Sequence, residues 1–188
     1  MSDTTRAFIA IELPEEISAF IHKTQEGLKS YGLKAKWVRS ENIHLTLKFL
    51  GDISSKNLKK AGDAIIDAAS ENVSISLSAK GIGVFPGVKR PRVIWTGITG
   101  QTKELGDLQK TLDGKLEAVG FPKEKRPFRG HLTIARIKGK VDARRLIDAM
   151  KELGKFESKI FIADEVVLFK SELRPSGAVY TKLMTAAL

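Results

Sequence analysis

The chain has 188 residues, of which 42% are hydrophobic and 29% are charged, a composition typical of a folded globular protein. It contains no cysteine, which excludes disulfides, zinc–thiolate centres and thiol catalysis. The formal net charge of +10 favours polyanionic partners such as nucleic acid, although solvated lysine-rich helices would give the same balance.

The amino-terminal apolar run is too short for a signal peptide, because it ends at Glu12. No segment approaches the ~20 apolar residues that a membrane-spanning helix needs. We therefore expect a cytoplasmic protein without a membrane partner. As a separate expectation, we take the protein to be a monomer.

Strands and helices alternate in the first half of the chain. Pro14 ends a strand and opens a helix, because proline is tolerated in a first turn and the acids Glu15 and Glu16 suit the positive helix end. At Gly81 the inward apolar positions shift from odd to even numbers, which predicts a β-bulge. The predicted elements are a strand at 5–13, a helix through Leu28, a strand at 43–50, a helix at 55–70 and a strand at 73–84.

The same order of elements returns in the second half. The predicted elements are a strand at 93–98, a helix at 103–119, a strand at 131–137, a helix at 143–153 capped by Asp142, and strands at 156–162, 166–173 and 178–184, the last entered through a turn at 174–177. This repetition predicts an α+β fold built as a duplicated unit. We expect one bilobal domain spanning residues 1–188, with two antiparallel sheets, helices outside and a central cleft.

Two tetrapeptides nearly repeat each other: His44-Leu45-Thr46-Leu47 and His131-Leu132-Thr133-Ile134. They begin 87 residues apart and contain two of the three histidines of the chain. On a strand, each histidine shares a face with the threonine two residues later. Two such pairs facing one another would surround an anion with two acid–base groups and two hydroxyl donors. The third histidine, His22, has no such partner and is interpreted as a solvated helix residue.

A metal site is the competing interpretation of the two histidines. Zinc accepts imidazole ligands, but the sequence offers no neat third and fourth ligand beside the tetrads. We expect no metal and no other cofactor.

Two further basic residues follow the tetrads on the same strands. Alternation places Lys48 on the face of His44, where it would add positive charge to the site. Arg136 falls on the face opposite to His131, so that it reaches the site only if a twist or a bulge redirects it.

A basic loop at 123–130 runs directly into His131 and carries Arg126 and Arg129. These arginines are candidates for contacts with a phosphodiester backbone, with solvated loop charge as the alternative. Three aromatic residues are candidates for stacking on a base, and each could equally belong to the core: Phe85, Trp95 and Phe128.

The paired tetrads resemble the signature of the 2H phosphoesterase superfamily. With the flanking segments 44–51, 91–95, 131–136 and 168–180, the chain resembles over essentially its whole length the RNA 2′,3′-cyclic phosphodiesterases, also called 2′-5′ RNA ligases. One departure is Arg129-Gly130, where many relatives have a proline before the second histidine.

The resemblance implies a bilobal fold and a metal-independent site in its cleft. It implies hydrolysis of a terminal 2′,3′-cyclic phosphate on RNA, including tRNA fragments, to a 2′-phosphomonoester, and in some members 2′-5′ joining of tRNA halves. It assigns His44 as the acid and His131 as the base, and gives phosphate-binding roles to Thr46, Thr133 and Arg136.

Two alternatives remain open from the residues themselves. The same site could act on small cyclic nucleotides in place of RNA ends. A non-catalytic RNA-binding module is the other possibility, but arginine would bind phosphate better than two complete His-Thr pairs.

Overall fold

The computed structural model describes residues 4–175 and 177–188 of the chain. Its strands are β1 Thr4–Glu12, β2 Ala35–Trp37, β3 His44–Ser54, β4 Ile75–Phe85, β5 Val93–Gly100, β6 His131–Ile137, β7 Phe161–Ala163, β8 Glu165–Arg174 and β9 Gly177–Ala187. Its helices are α1 Glu15–Ser30, α2 Ser55–Ser70, α3 Thr102–Ala118 and α4 Ala143–Leu153, with a 3₁₀ turn at Ser40–Asn42. None of these described helices is long and apolar enough to cross a membrane.

The strands pair antiparallel throughout, in the order β7-β4-β5-β6-β3-β1-β8-β9, with β2 added beside β6. β3 and β6, which begin with the two tetrads, are adjacent at the centre and pair through Leu45 and Leu132. The predicted α+β class is therefore confirmed. The two predicted sheets form one continuous sheet, because β3 of the first pairs with β6 of the second.

The two halves of the chain exchange strands. β2 and β4 of the first half pair with β6 and β5 of the second half, whereas β8 of the second half pairs with β1 and is followed by β9. We call β3-β1-β8-β9 the first lobe and β6-β5-β4-β7 the second lobe. The helices pack in pairs, α1 with α4 and α2 with α3. The main core contains fully buried residues from both lobes, among them Ile9, Leu45, Ile94, Leu108 and Leu132.

Helix boundaries follow the local capping chemistry. The Asp142 side chain accepts hydrogen bonds from the backbone N–H groups of Arg144 and Arg145 at the start of α4, which confirms the predicted cap. Ser54 caps α2 by accepting from the N–H of Asn57, and α1 begins directly after Pro14 as predicted.

Two sequence predictions differ from the structure. β2 was not predicted, since three residues are too few for a pattern. The strand expected at 156–162 was misplaced, because β7 pairs with β4 only from Phe161. The apolar residues Phe156 and Ile160 that suggested it are 57% and 70% exposed.

Two other local predictions fall at turns and bulges. The bulge at Gly81 is confirmed by a register shift between Lys80 and Ile82 and by a φ of +77°. The predicted turn at 174–177 includes Ser176, which lies outside the described residues.

Candidate active site

The two tetrads meet across the pair formed by Leu45 and Leu132, both of which are fully buried. In the antiparallel register of that pair, His44 lies opposite Thr133, and Thr46 lies opposite His131. All four side chains point away from the buried leucines, because alternate residues of a strand face opposite sides. Continued as a regular ladder, this single register pair makes the two histidines diagonal neighbours, a position for which the typical separation is about 7–8 Å.

Each imidazole is held in the same way by its own strand. Nδ1 of His44 lies 2.9 Å from the carbonyl oxygen of Asn42, and Nδ1 of His131 lies 2.7 Å from that of Arg129. A carbonyl oxygen only accepts, so Nδ1 carries the hydrogen in both rings. Nε2 is therefore the nitrogen of each ring that can exchange a proton.

The ring of His44 lies in an aromatic cluster on the inner face of the first lobe. It stacks on Phe8 with centroids 4.6 Å apart, and Tyr180 approaches edge-on at 5.3 Å. Burial lowers the pKa of His44 to about 4, and the hydrogen bond to the Asn42 carbonyl opposes this effect. The neutral ring is therefore the dominant form in the unliganded protein near pH 7.

Fewer aromatic rings lie near His131 than near His44. Phe85 meets its ring edge-on at 5.1 Å, and Trp95 lies 6.2 Å away. Phe85 and Trp95 also stack on each other at 5.1 Å, so these two stacking candidates support the histidine. The third candidate, Phe128, packs partly buried against the main core.

A cavity of about 420 Å³ opens over the first lobe, a size suited to a small ligand. His44, Thr46 and Thr133 line it, whereas His131 is not among its lining residues, so the cavity lies on the His44 side of the histidine pair. Its described lining contains no carboxylate but includes four cations: Arg6, Lys36, Arg39 and Arg136.

Two bulges decide which basic residues reach this cavity. In β6 the register to β5 shifts at Ile134, so that Ile134 and Ala135 are both buried and Arg136 turns to the cleft face. In β3 the register to β1 shifts in the same way at Leu47, and Leu47 and Lys48 are both buried. The bulge that brings Arg136 to the cavity thus has a counterpart that turns Lys48 away.

The prediction that Lys48 faces the site is therefore wrong. Its ammonium group forms a buried ion pair with Asp113 of α3 and donates to the carbonyl oxygen of Pro122 at 2.8 Å. Asp113 in turn accepts from the backbone N–H of Glu124 at 3.2 Å. Lys48 anchors the first residues of the loop that leads to His131.

Arg126 and Arg129, on that same loop, are exposed and do not line the cavity. The carbonyl oxygen of Arg129 orients His131, but its guanidinium lies outside the cavity lining. Contacts of these two side chains with RNA stay a prediction.

Sequence reasoning missed several residues of the cavity wall, among them Arg6, Lys36, Arg39, Phe49 and Tyr180. A signal existed for Phe49, because the 87-residue offset between the tetrads makes it the counterpart of Arg136. No local pattern marked Lys36 or Arg6. Within residues 4–175 and 177–188, no three His, Cys, Asp or Glu side chains are grouped so that they could hold a metal ion.

Comparison with known proteins identifies relatives of the chain. The chain is 35% identical over 178 residues to an RNA 2′,3′-cyclic phosphodiesterase of Methanothermobacter thermautotrophicus, covering 95% of this chain and 96% of that protein. It is 37% identical over 175 residues to the protein of the same name from Methanocaldococcus jannaschii, covering 93% and 96%.

A crystal structure of TT0787 of Thermus thermophilus superposes with a TM-score of 0.79 at 27% identity, over 97% of both chains. The family described as LigT like Phosphoesterase matches residues 11–95 and 98–180, one segment in each half of the chain. The chain belongs to the LigT-like phosphoesterase family.

Proposed function

We propose that the chain, acting as a single domain over residues 1–188, is an RNA 2′,3′-cyclic phosphodiesterase with His44 and His131 as its acid–base pair. The observation that carries this proposal is the matched Nδ1–carbonyl hydrogen bond on the two rings, which leaves two Nε2 atoms for proton transfer. The archaeal relatives, which align over nearly their whole length, support the same activity.

The reaction opens the cyclic phosphate by in-line attack of water. Nε2 of His131 takes a proton from the water as its oxygen bonds to phosphorus. The bond from phosphorus to O3′ breaks on the opposite side, and Nε2–H of His44 protonates the departing O3′. The product is a 2′-phosphomonoester with a free 3′ hydroxyl. A 5′ hydroxyl of a second RNA in place of water would give a 2′-5′ bond by the same step.

Thr46 and Thr133 lie beside the histidines and donate hydrogen bonds to the non-bridging phosphate oxygens. Hydroxyl donors fixed on strands stabilise the charge that develops at phosphorus. Arg136 adds a cation at the edge of the same face. No step requires a metal ion, and the cationic lining of the cavity repels one.

The position of the cavity supports the division of roles. The departing O3′ belongs to the terminal ribose, so the acid lies on the side that holds the nucleoside and the base lies on the side of the water. The cavity adjoins His44 and not His131. His44 is therefore the acid in this proposal, which agrees with the resemblance seen in the sequence.

The lowered pKa of His44 opposes that role in the unliganded protein, because an acid must carry its proton. A bound phosphate anion removes this difficulty, since a negative charge within ~4–6 Å favours the imidazolium. The complex, and not the free protein, sets the protonation state of His44 during the reaction.

RNA is the proposed substrate because the chain is cationic overall and at the cavity. A cytoplasmic, monomeric enzyme acting without a cofactor completes the proposal.

The test compares two substrates in single-histidine variants. His44→Ala should lose most of its rate on RNA ending in a 2′,3′-cyclic phosphate. It should lose much less on an analogue whose 3′ leaving group needs no protonation, and His131→Ala should be impaired on both. General acid or base catalysis contributes roughly 10²–10⁴-fold. The exposed His22→Ala is the matched control and should behave as wild type.

Three results would overturn the proposal or part of it. Wild type that hydrolyses no cyclic phosphate refutes the activity. Rescue of His131→Ala in place of His44→Ala by the activated analogue reverses the roles. Full activity in both single variants removes the histidines from the mechanism.

A further inference from the structure

Two cations face each other directly across adjacent strands at the cavity. Lys36 of β2 and Arg136 of β6 are register partners, and both line the cavity. Like charges directly opposite in an antiparallel pair destabilise a sheet. The repulsion between the two side chains therefore lowers the stability of the unliganded protein. An anion bound between them would relieve it.

No carboxylate among residues 4–175 and 177–188 supplies that anion. Among the described residues, no ion pair within 4.0 Å involves Lys36, Arg136 or Arg6, the third of these cavity cations. Lysines elsewhere on the strands are paired, for example Lys80 with Glu157 and Lys182 with Glu12. Of the lysines and arginines on the described strands, the three without an ion pair all line the cavity.

The charges of Arg6 and Arg136 both reach the hydroxyl group of Tyr180 in the cavity wall. Burial raises the pKa of the Tyr180 hydroxyl, and the charges of Arg136 and Arg6 both oppose that rise. Tyr180 also packs edge-on against His44. Positive charge from two strands therefore converges next to the acid of the proposed reaction.

The cavity also exposes apolar surface of the kind that a nucleoside covers. Phe49 is 66% exposed and Leu173 is 72% exposed, and both are lining residues. A base can stack on an aromatic side chain without sequence preference. The cavity thus offers an apolar wall beside His44 and a cationic rim beyond it.

We propose that Lys36 and Arg136, assisted by Arg6, bind the phosphate on the 5′ side of the terminal nucleotide while its cyclic phosphate lies between the histidines. This inference rests on the proposed function, and it adds a second phosphate site to it. The site selects RNA ends over nucleosides that carry only the cyclic phosphate.

Strand geometry permits this arrangement. Arg136 follows Thr133 by three residues, a span of about 10 Å at most along a strand. The terminal nucleoside occupies the space between them, with its O3′ toward His44. Its 5′ oxygen then points to the rim where β2 lies beside β6.

The experiment uses substrates that differ only at the 5′ position: adenosine 2′,3′-cyclic phosphate with a 5′ hydroxyl and the same compound with a 5′ phosphate. The kcat/KM of wild type should be higher for the 5′-phosphorylated compound. Lys36→Met should reduce this preference about tenfold, as expected when one hydrogen bond to a charged group is removed. Lys36→Arg should keep most of it, and Arg6→Met should reduce it.

The exposed Lys34→Met is the matched control, since it removes the same charge from the same segment but lies outside the cavity lining. Its preference should equal that of wild type. The melting temperature of Lys36→Met should be unchanged or higher, because the repulsion across β2 and β6 is removed.

Calorimetric affinities for adenosine 2′-monophosphate and adenosine 2′,5′-bisphosphate separate this inference from the proposed function. Absence of turnover together with a Lys36-dependent preference for the bisphosphate refutes the activity but supports the second phosphate site. Turnover of both cyclic substrates with a preference that Lys36→Met leaves intact overturns the second site. A loss of preference in Lys34→Met equal to that in Lys36→Met also overturns it, because general charge would then be the cause.

Discussion

The ring of His44 stacks on the ring of Phe8 with an interplanar angle of 28°, and this contact buries an ionisable group in apolar surroundings. Phe8 in turn stacks on Phe169 at 5.2 Å. Together with Ala10 and Val167 they form a small apolar cluster separate from the main core. The first histidine is therefore part of the packing of its lobe as well as of the site.

Burial of His44 predicts a specific loss of stability in acid. The ring has a pKa of about 4 in the folded protein and about 6.5 when unfolded, so the unfolded chain binds more protons between these values. The free energy of unfolding should fall as pH decreases from 6.5 to 4, by about 3 kcal/mol from this residue. Comparison of denaturant curves for wild type and His44→Phe measures the difference.

His22→Phe is the control for that measurement, because His22 is an exposed helix residue. Parallel pH dependence of wild type and His44→Phe would contradict the burial effect. Addition of inorganic phosphate should raise the pKa of His44, which imidazole NMR can follow directly.

The buried pair of Lys48 and Asp113 predicts a structural role for Lys48. Lys48→Met leaves the Asp113 carboxylate buried without its cation and should cost about 3–5 kcal/mol of unfolding free energy. The double variant Lys48→Met/Asp113→Leu should recover most of that loss. Chemical denaturation of the two single variants and the double variant gives the coupling energy.

An exposed pair of the same chemistry serves as the comparison. Lys103→Met removes the cation that pairs with Asp107 on the surface of α3 and should leave stability nearly unchanged. If Lys48→Met instead keeps its stability and loses only activity, the lysine contacts substrate and the structural interpretation fails.

The proposed mechanism, which uses no metal ion, predicts that turnover survives chelation. The proposed chemistry uses two imidazoles and hydroxyl donors, so a rate measured in EDTA should match the rate in buffer alone. Loss of activity in EDTA that zinc or manganese restores would require a different mechanism.

The loop arginines predict a salt effect that depends on RNA length. Replacing Arg126 and Arg129 by alanine should reduce the slope of log affinity against log salt by about 0.7 for each RNA phosphate that the variant no longer binds. Hydrolysis of a cyclic mononucleotide should be much less affected, because the side chains of both arginines lie outside the cavity lining. Equal losses on both substrates would show that these arginines support His131 or the fold.

The meeting of the two tetrads, the helices and most strands could be predicted because they follow from alternation and spacing. The bulge at Gly81 was also predictable, since a glycine marked it and the apolar phase changed visibly. The bulges at Leu47 and Ile134 carry no such mark, because both positions hold ordinary apolar residues. A one-residue slip reverses the faces of a strand beyond it. For this reason Lys48 and Arg136 each lie on the face opposite to the one that regular alternation predicts.

The pairing of Leu45 with Leu132 bears on why the two histidines need not have the same role. In a symmetric dimer of identical chains, a contact on the two-fold axis joins a residue to its own copy, and every other position must repeat on both sides. Covalent joining of two halves removes that constraint. The first half of this chain has Phe49 at the position where the second half has Arg136. It has Lys48 where the second half has Ala135. The division of labour in the proposed mechanism, with one histidine on the nucleoside side and the other on the water side, requires halves that differ in this way.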